Sequence, residues 1–298
     1  MTQADKSAEH LLQAFILKTE IKLENLLWLA DYHFSKLAFE EGNFILAGRT
    51  SALLNKCLDL LRDPKIEENS TQLIEPIICK LANVYRILGR IDEEIALLES
   101  LDHLGDESKL LLADSYAKKG YIDEATGLLD EITAKASSIR SSIGASASLQ
   151  GARLKLGSKN HDQLEIANQL KNLVIQKNIL NEPLHLEAAL EYVDLQAKYD
   201  LNKKLALMLK IKEDFQETNN LLSKDYHAVR LQMPEKNTIY SHYMEFIDAN
   251  IAALQSVIDP EKEKLKEKKR SILLKLMEEP TVSNTLRIRV EKMFSNES

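Results

Sequence analysis

Residues 81–101 read Leu81-Ala82-Asn83-Val84-Tyr85-Arg86-Ile87-Leu88-Gly89-Arg90-Ile91-Asp92-Glu93-Glu94-Ile95-Ala96-Leu97-Leu98-Glu99-Ser100-Leu101, and the pattern returns at an offset of 31 residues. There, Leu112-Ala113-Asp114-Ser115-Tyr116 leads to Gly120, then to Ile122-Asp123-Glu124, then to Leu128-Leu129 and Ile132. In both copies apolar residues recur at three- and four-residue steps on either side of the glycine, the period of amphipathic helices. The glycine predicts the end of the first helix, because it enters the left-handed conformation without a side-chain clash. The alanine of the first helix lets its partner approach closely, and the tyrosine four residues before the glycine supplies a large contact. One such pair cannot bury its apolar stripe alone, so neighbouring pairs must stack. A looser copy lies upstream, where Gly42, Phe44 and Ala47 match Gly120, Ile122 and Ala125 in spacing.

The rest of the chain agrees with this reading. Among 298 residues there are nine glycines and six prolines, and aromatics make up 6%. Such scarcity of turn residues disfavours sandwiches and barrels and favours an all-α chain. Helices are predicted over 11–41 in one or two pieces, then 44–61, 73–88, 91–101, 107–119, 122–134, 137–156, 163–176, 184–199, 203–226, 234–258, 260–277 and 282–294, about 13 in all. Short connections make successive helices antiparallel neighbours. The serine-rich stretch 137–148 reads either as a helix packed through small residues or as a joint. Every glycine falls between Gly42 and Gly157. We therefore divide the chain into N-terminal repeats at 1–157, with the best pairs at 73–134, and a continuation of longer helices at 158–298 punctuated by Pro183, Pro234, Pro260 and Pro280.

Chemistry-bearing motifs are absent. No glycine loop has phosphate-cradling spacing, no nucleophile elbow occurs, and no His-Glu-x-x-His is present. The seven histidines are scattered. Adjacent carboxylates such as Glu93-Glu94 diverge by about 100° on a helix and seldom share a substrate. The expectation is a protein that is not an enzyme and needs no cofactor and no metal. Cys57 and Cys79 match no metal or disulfide framework and read as buried thiols. No apolar run approaches membrane-spanning length, and no leader-like pattern is seen at the start, so the expected location is cytoplasmic.

Charge is unevenly spread. The formal net charge is -7, and residues 86–131 carry 12 acidic and five basic side chains. This block reads as solvated surface, favoured by helix dipoles at Asp92-Glu93 and Asp123-Glu124, or as a groove for a basic segment. The run 261–270 makes a basic face on an amphipathic helix, either solvated or docked to an acidic partner or an anionic surface. Aromatics are not interleaved with these basic residues, and no nucleic-acid partner is expected.

The repeated block resembles the tetratricopeptide repeat. Ala82, Tyr85, Gly89 and Leu98 carry the resemblance in one copy, and Ala113, Tyr116, Gly120, Ala125 and Leu129 in the next. Glu94 stands where the family prefers a small residue, the period is 31 rather than the family's roughly 34, and the terminal proline is absent. The resemblance implies an α-solenoid of antiparallel helix pairs, a tetratricopeptide-like superhelix whose first helices line a concave surface. Carried over position by position, it gives Asn83, Arg86, Asp114, Ala117 and Lys118 as partner-binding groove residues. Asn83 occupies a position used in the family to clamp a terminal carboxylate, but Asp114 would repel that group, so a mixed or basic peptide suits the groove better. The implied function is a non-catalytic protein–protein interaction module: adaptor, scaffold or chaperone. The alternative is a structural subunit, or a helical-repeat region of a larger assembly such as a giant-kinase complex.

Overall fold

The computed structural model describes residues 3–17, 21–37, 43–62, 72–135, 141–158, 162–175, 182–197, 200–225, 234–259 and 263–295, with backbone alone at 175, 182–183, 217–225, 234–240 and 263. These residues form 14 α-helices with no strand among them. They are α1 (Gln3–Ile16), α2 (Leu23–Leu37), α3 (Phe44–Leu61), α4 (Ile74–Ile87), α5 (Ile91–Glu99), α6 (Asp106–Lys119), α7 (Ile122–Thr133), α8 (Ser142–Gly157), α9 (Gln163–Ile175), α10 (Glu182–Gln196), α11 (Leu201–Asp225), α12 (Pro234–Ile258), α13 (Glu263–Glu278) and α14 (Asn284–Ser295). The chain divides into two compact units, Met1–Ala136 and Ser137–Ser298. The division expected from glycine content falls after 157. The compact units part after Ala136, because α8 packs on α9 and α10. Gly42 of the looser upstream copy and residues 137–140 of the serine-rich stretch lie outside the described residues.

In the first unit each helix packs on the next in the chain, and α4 also meets α6. This is the neighbour-on-neighbour order of an α-solenoid. Its core is continuous, with Leu29 from α2, Leu53 and Cys57 from α3, Ile78, Leu81 and Ala82 from α4, Leu98 from α5 and Leu112 from α6. Each fully buried leucine contributes about 1.5–3 kcal/mol of transfer free energy. The Asn43 side chain accepts the Leu46 N–H at 2.9 Å at the start of α3.

The two good copies adopt the same geometry. Gly89 and Gly120 have φ of 71° and 85°, the left-handed values that favour glycine. Past them, the Arg90 N–H donates to the Tyr85 carbonyl at 2.8 Å and the Tyr121 N–H to the Tyr116 carbonyl at 2.9 Å. These are the hydrogen bonds that close a helix C-terminus. Each tyrosine ring is then covered by the residue just after its glycine. The Arg90 guanidinium lies 4.8 Å from the Tyr85 centroid, and the Tyr121 ring lies 6.0 Å from that of Tyr116, edge-on. Each hydroxyl reaches the preceding helix. Asn55 of α3 donates to the Tyr85 oxygen at 3.4 Å, and Tyr116 donates to Glu99 of α5 at 2.6 Å. The hydrogen bond to Glu99, with some burial, pushes the Tyr116 phenol up to about 12. Ala82 and Ala113 are fully buried, as are Leu98 and Leu129.

In the second unit α8 to α14 again pack in chain order. The serine-rich stretch is helical where described. Ser141 caps α8 by accepting the Gly144 N–H at 3.0 Å, and Gly144, Ala145, Ala147, Ser148, Gly151 and Ala152 are buried. Small residues let α9 and α10 close on α8. A second cluster joins α10 to α14 through Val193, Phe215, Tyr243, Ile247, Leu273 and Leu286. Pro183 and Pro234 stand in the first turns of α10 and α12, and Pro280 stands just past α13, the positions a helix tolerates.

Candidate functional site

The five groove residues read from sequence lie on α4 and α6, the first helices of the two good pairs. The repeat puts Asn83 and Asp114 at equivalent positions, as it does Arg86 and Ala117. The structure brings three of the five into one chain of ion pairs. Arg86 Nη1 lies 3.0 Å from Asp114 Oδ2, and Lys118 Nζ lies 2.8 Å from the same oxygen. Asn83 sits one turn before Arg86 and donates to the Cys79 carbonyl at 3.0 Å. Ala117 is half-buried, one turn after Asp114. The Lys118 side chain is 42% exposed, whereas those of Arg86 and Asp114 are mostly covered.

Arg86 has a second task. Its Nη2 and Nε donate to Glu94 Oε1 at 2.5 and 3.1 Å, and Nη2 also reaches the Leu111 carbonyl at 3.1 Å. Ser115 donates to the same Glu94 oxygen at 2.7 Å. The Glu94 side chain has no exposed surface. A buried carboxylate therefore ties α5 to α4 and α6 through one guanidinium and one hydroxyl. The departure from the repeat pattern at Glu94 is a brace between helices, and the groove candidate Arg86 is half of it.

Much of the acidic block is engaged in ion pairs. Asp92 pairs with Lys119 at 2.6 Å, Glu93 with Arg90 at 2.9 Å, Glu131 with Lys109 at 2.5 Å, and Asp106 with Lys135. Arg90 holds the Glu93 carboxyl below its ordinary value, and the hydrogen bond to Asp92 raises Lys119. Asp123 and Glu124 remain exposed in the first turn of α7. Cys57 and Cys79 are free, buried thiols, and desolvation pushes both up to about 12. Among the described residues no group of three or more His, Cys, Asp or Glu is placed to hold a metal ion. None of the described helices is long and apolar enough to cross a membrane.

Sequence reasoning missed a polar cluster in the second unit. Arg153 of α8 pairs with Glu187 at 2.6 Å and with Glu191 at 3.4 Å, and Arg289 of α14 pairs with Glu191 at 2.5 Å. Tyr243 of α12 donates its hydroxyl to Glu187. Burial beside this carboxylate raises the Tyr243 phenol. The only signal in the sequence was Glu187 and Glu191 at helical i, i+4 spacing. Their arginines come from helices far apart in the chain.

No protein-family model matches this chain. No curated protein matches it either. Solved structures do. A single-substitution variant of a Podosopora anserina protein, described as a putative kinesin light chain with nearly identical TPR-like repeats, is 21% identical with a TM-score of 0.48. That match covers 67% of this chain and 100% of the other. A second structure under that description, without the substitution, is 20% identical with a TM-score of 0.45, covering 68% and 96%. BtubC (BKLC) from P. vanneervenii is 13% identical with a TM-score of 0.46, covering 78% and 93%. The fold assignment rests on the helix pairs themselves.

Proposed function

We propose that this chain is a non-catalytic interaction module, an adaptor, scaffold or chaperone, that holds a segment of another protein against α4 and α6. One observation supports this most. The first helices of consecutive copies meet side by side, and Arg86 bridges to Asp114 at 3.0 Å, so Asn83, Asp114 and Lys118 belong to one run of surface. A repeated surface of this kind offers an extended segment the same polar positions at each step. The excess of acidic over basic side chains in residues 86–131, 12 against five, favours a basic or mixed-charge occupant. The two unpaired buried thiols fit a reducing, cytoplasmic setting.

The test replaces Asn83 and Asp114 together, as Asn83→Ala with Asp114→Asn, which removes the carboxylate a basic segment would meet, and leaves Arg86 alone because it braces Glu94. Partner recovery by affinity purification from the native cell should fall about tenfold against the wild-type chain, with an unchanged thermal melt. Equal recovery by the two proteins would remove α4 and α6 as the binding surface.

A further inference from the structure

A cleft of about 710 Å³ opens in the second unit between α10, α11, α12 and α14, with Arg153 of α8 also lining it. Its charged lining is Arg153, Lys204, Arg289 and Lys292 against Glu191 and Asp194, an excess of two positive charges. Both acids are already held. Arg289 and Arg153 bond Glu191 at 2.5 and 3.4 Å, and Lys204 bonds Asp194 at 2.6 Å. Lys292 is exposed and enters no ion pair among the described residues. The apolar lining is graded. Leu190, Met208 and Phe246 are buried, Met293 is half-buried, and Ile288 is 65% exposed.

We propose that this cleft is a second docking site, and that it takes an acidic segment of a partner protein. A bulky apolar side chain of that segment enters beside Ile288 and Met293, over the floor made by Met208 and Phe246. Its carboxylates meet Lys292 and the outer edges of the two arginines. Charge decides the sign of the occupant. Three of the four cations are held by acidic partners, so the charge left over is that of Lys292, which attracts a carboxylate and repels a basic segment. Size and lining decide its class. The volume admits a few side chains rather than one small anion, and half of the wall is hydrocarbon. The two units then select opposite partners. Residues 1–136 carry 24 acidic and 15 basic side chains, whereas residues 137–298 carry 22 and 24. This site is independent of the surface on α4 and α6.

The experiment pans a phage-displayed random dodecapeptide library on the immobilised full-length chain and titrates the enriched peptides by fluorescence polarisation. The expected peptides are net acidic and carry a bulky apolar residue. They should bind Lys292→Glu and Ile288→Asp about tenfold or more weakly, lose affinity as salt rises, and bind Lys118→Glu unchanged. Should Lys292→Glu fail to fold, Lys292→Met removes the charge alone and should still weaken binding severalfold. Basic peptides whose affinity Ile288→Asp or Lys292→Glu alters, unaltered affinity of the acidic peptides in both cleft variants, or enrichment of no acidic peptide would overturn the proposal; basic peptides indifferent to both variants belong to the surface on α4 and α6. So would sedimentation showing that the wild-type chain self-associates and Lys292→Glu does not, since the occupant would then be a second copy. Because this readout uses Ile288 and Lys292, its failure is separable from that of the α4–α6 reading.

Discussion

Glu94 and Ala125 occupy equivalent places in the two good copies, and both are fully buried. The residues eight positions earlier are Arg86 and Ala117, also 31 residues apart. One copy encloses an ion pair between these positions, and the other carries alanine at both. Among the described residues Glu94 Oε2 finds no hydrogen-bond partner, so the brace is incompletely satisfied. Removing one member of a buried pair strands the other. Glu94→Ala should therefore lower stability by about 3 kcal/mol, the lower end of the usual range, because Arg86 keeps solvent and Asp114. Arg86→Ala strands the buried carboxylate and should be at least as damaging. The double variant rebuilds the pair of alanines found one copy later, and should cost about 1 kcal/mol or more less than the sum of the singles. Urea melts of the four proteins measure this, and strict additivity would mean that the pair is not coupled. The sequence alone marked Glu94 only as a departure and Arg86 only as a groove residue. A contact between residues eight apart on two different helices leaves no periodic trace.

Helix boundaries follow from local chemistry, and there the sequence was informative. Gly89 and Gly120 were read as helix stops and adopt positive φ. The same chain supplies a contrast inside α7, where Gly127 has ordinary helical backbone and open space around a built Cβ. Gly120→Ala forces an L side chain into the left-handed region and should destabilise by about 1 kcal/mol. Gly127→Ala meets nothing within 4 Å and should stabilise by about 0.5–1 kcal/mol through helix propensity. Thermal melts should therefore move in opposite directions, and a fall in both would contradict the assignment of Gly127 to a helix interior. The first helix shows where local reading stopped short. Its expected start was Leu11, yet α1 begins at Gln3. Its early residues are polar, and only Ala8 is buried. What fastens it is tertiary, since Asp5 accepts from the Tyr32 hydroxyl and from Lys36 at 3.1 Å. The cleft of the second unit escaped for a related reason. Arg153, Glu191 and Arg289 belong to three helices, and nothing in the spacing of an amphipathic pattern says which polar faces will meet.

Across the chain, the contact pattern is one of neighbours. The core of the first unit draws on α1 to α6, with Leu128 of α7 packed against it, and the clusters of the second unit draw on α8 to α14. In a linear array of this kind stability is nearly a sum of helix pairs and their junctions, so a unit whose core is closed needs little from beyond its own ends. Residues 1–136 and 137–298, expressed separately, should each fold. Each fragment should give a helical circular-dichroism spectrum and a cooperative melt, and the two spectra, weighted by length, should add to that of the intact chain. A small unit buries a smaller share of its surface than a large one, so both fragments should melt a few degrees below the intact protein. A coil spectrum from residues 1–136 would show that the repeats at α4 to α7 depend on the second unit. Peptide selection could then be carried out on each fragment, with basic sequences expected from the first and acidic ones from the second, which ties the charge division of the chain to its two proposed surfaces.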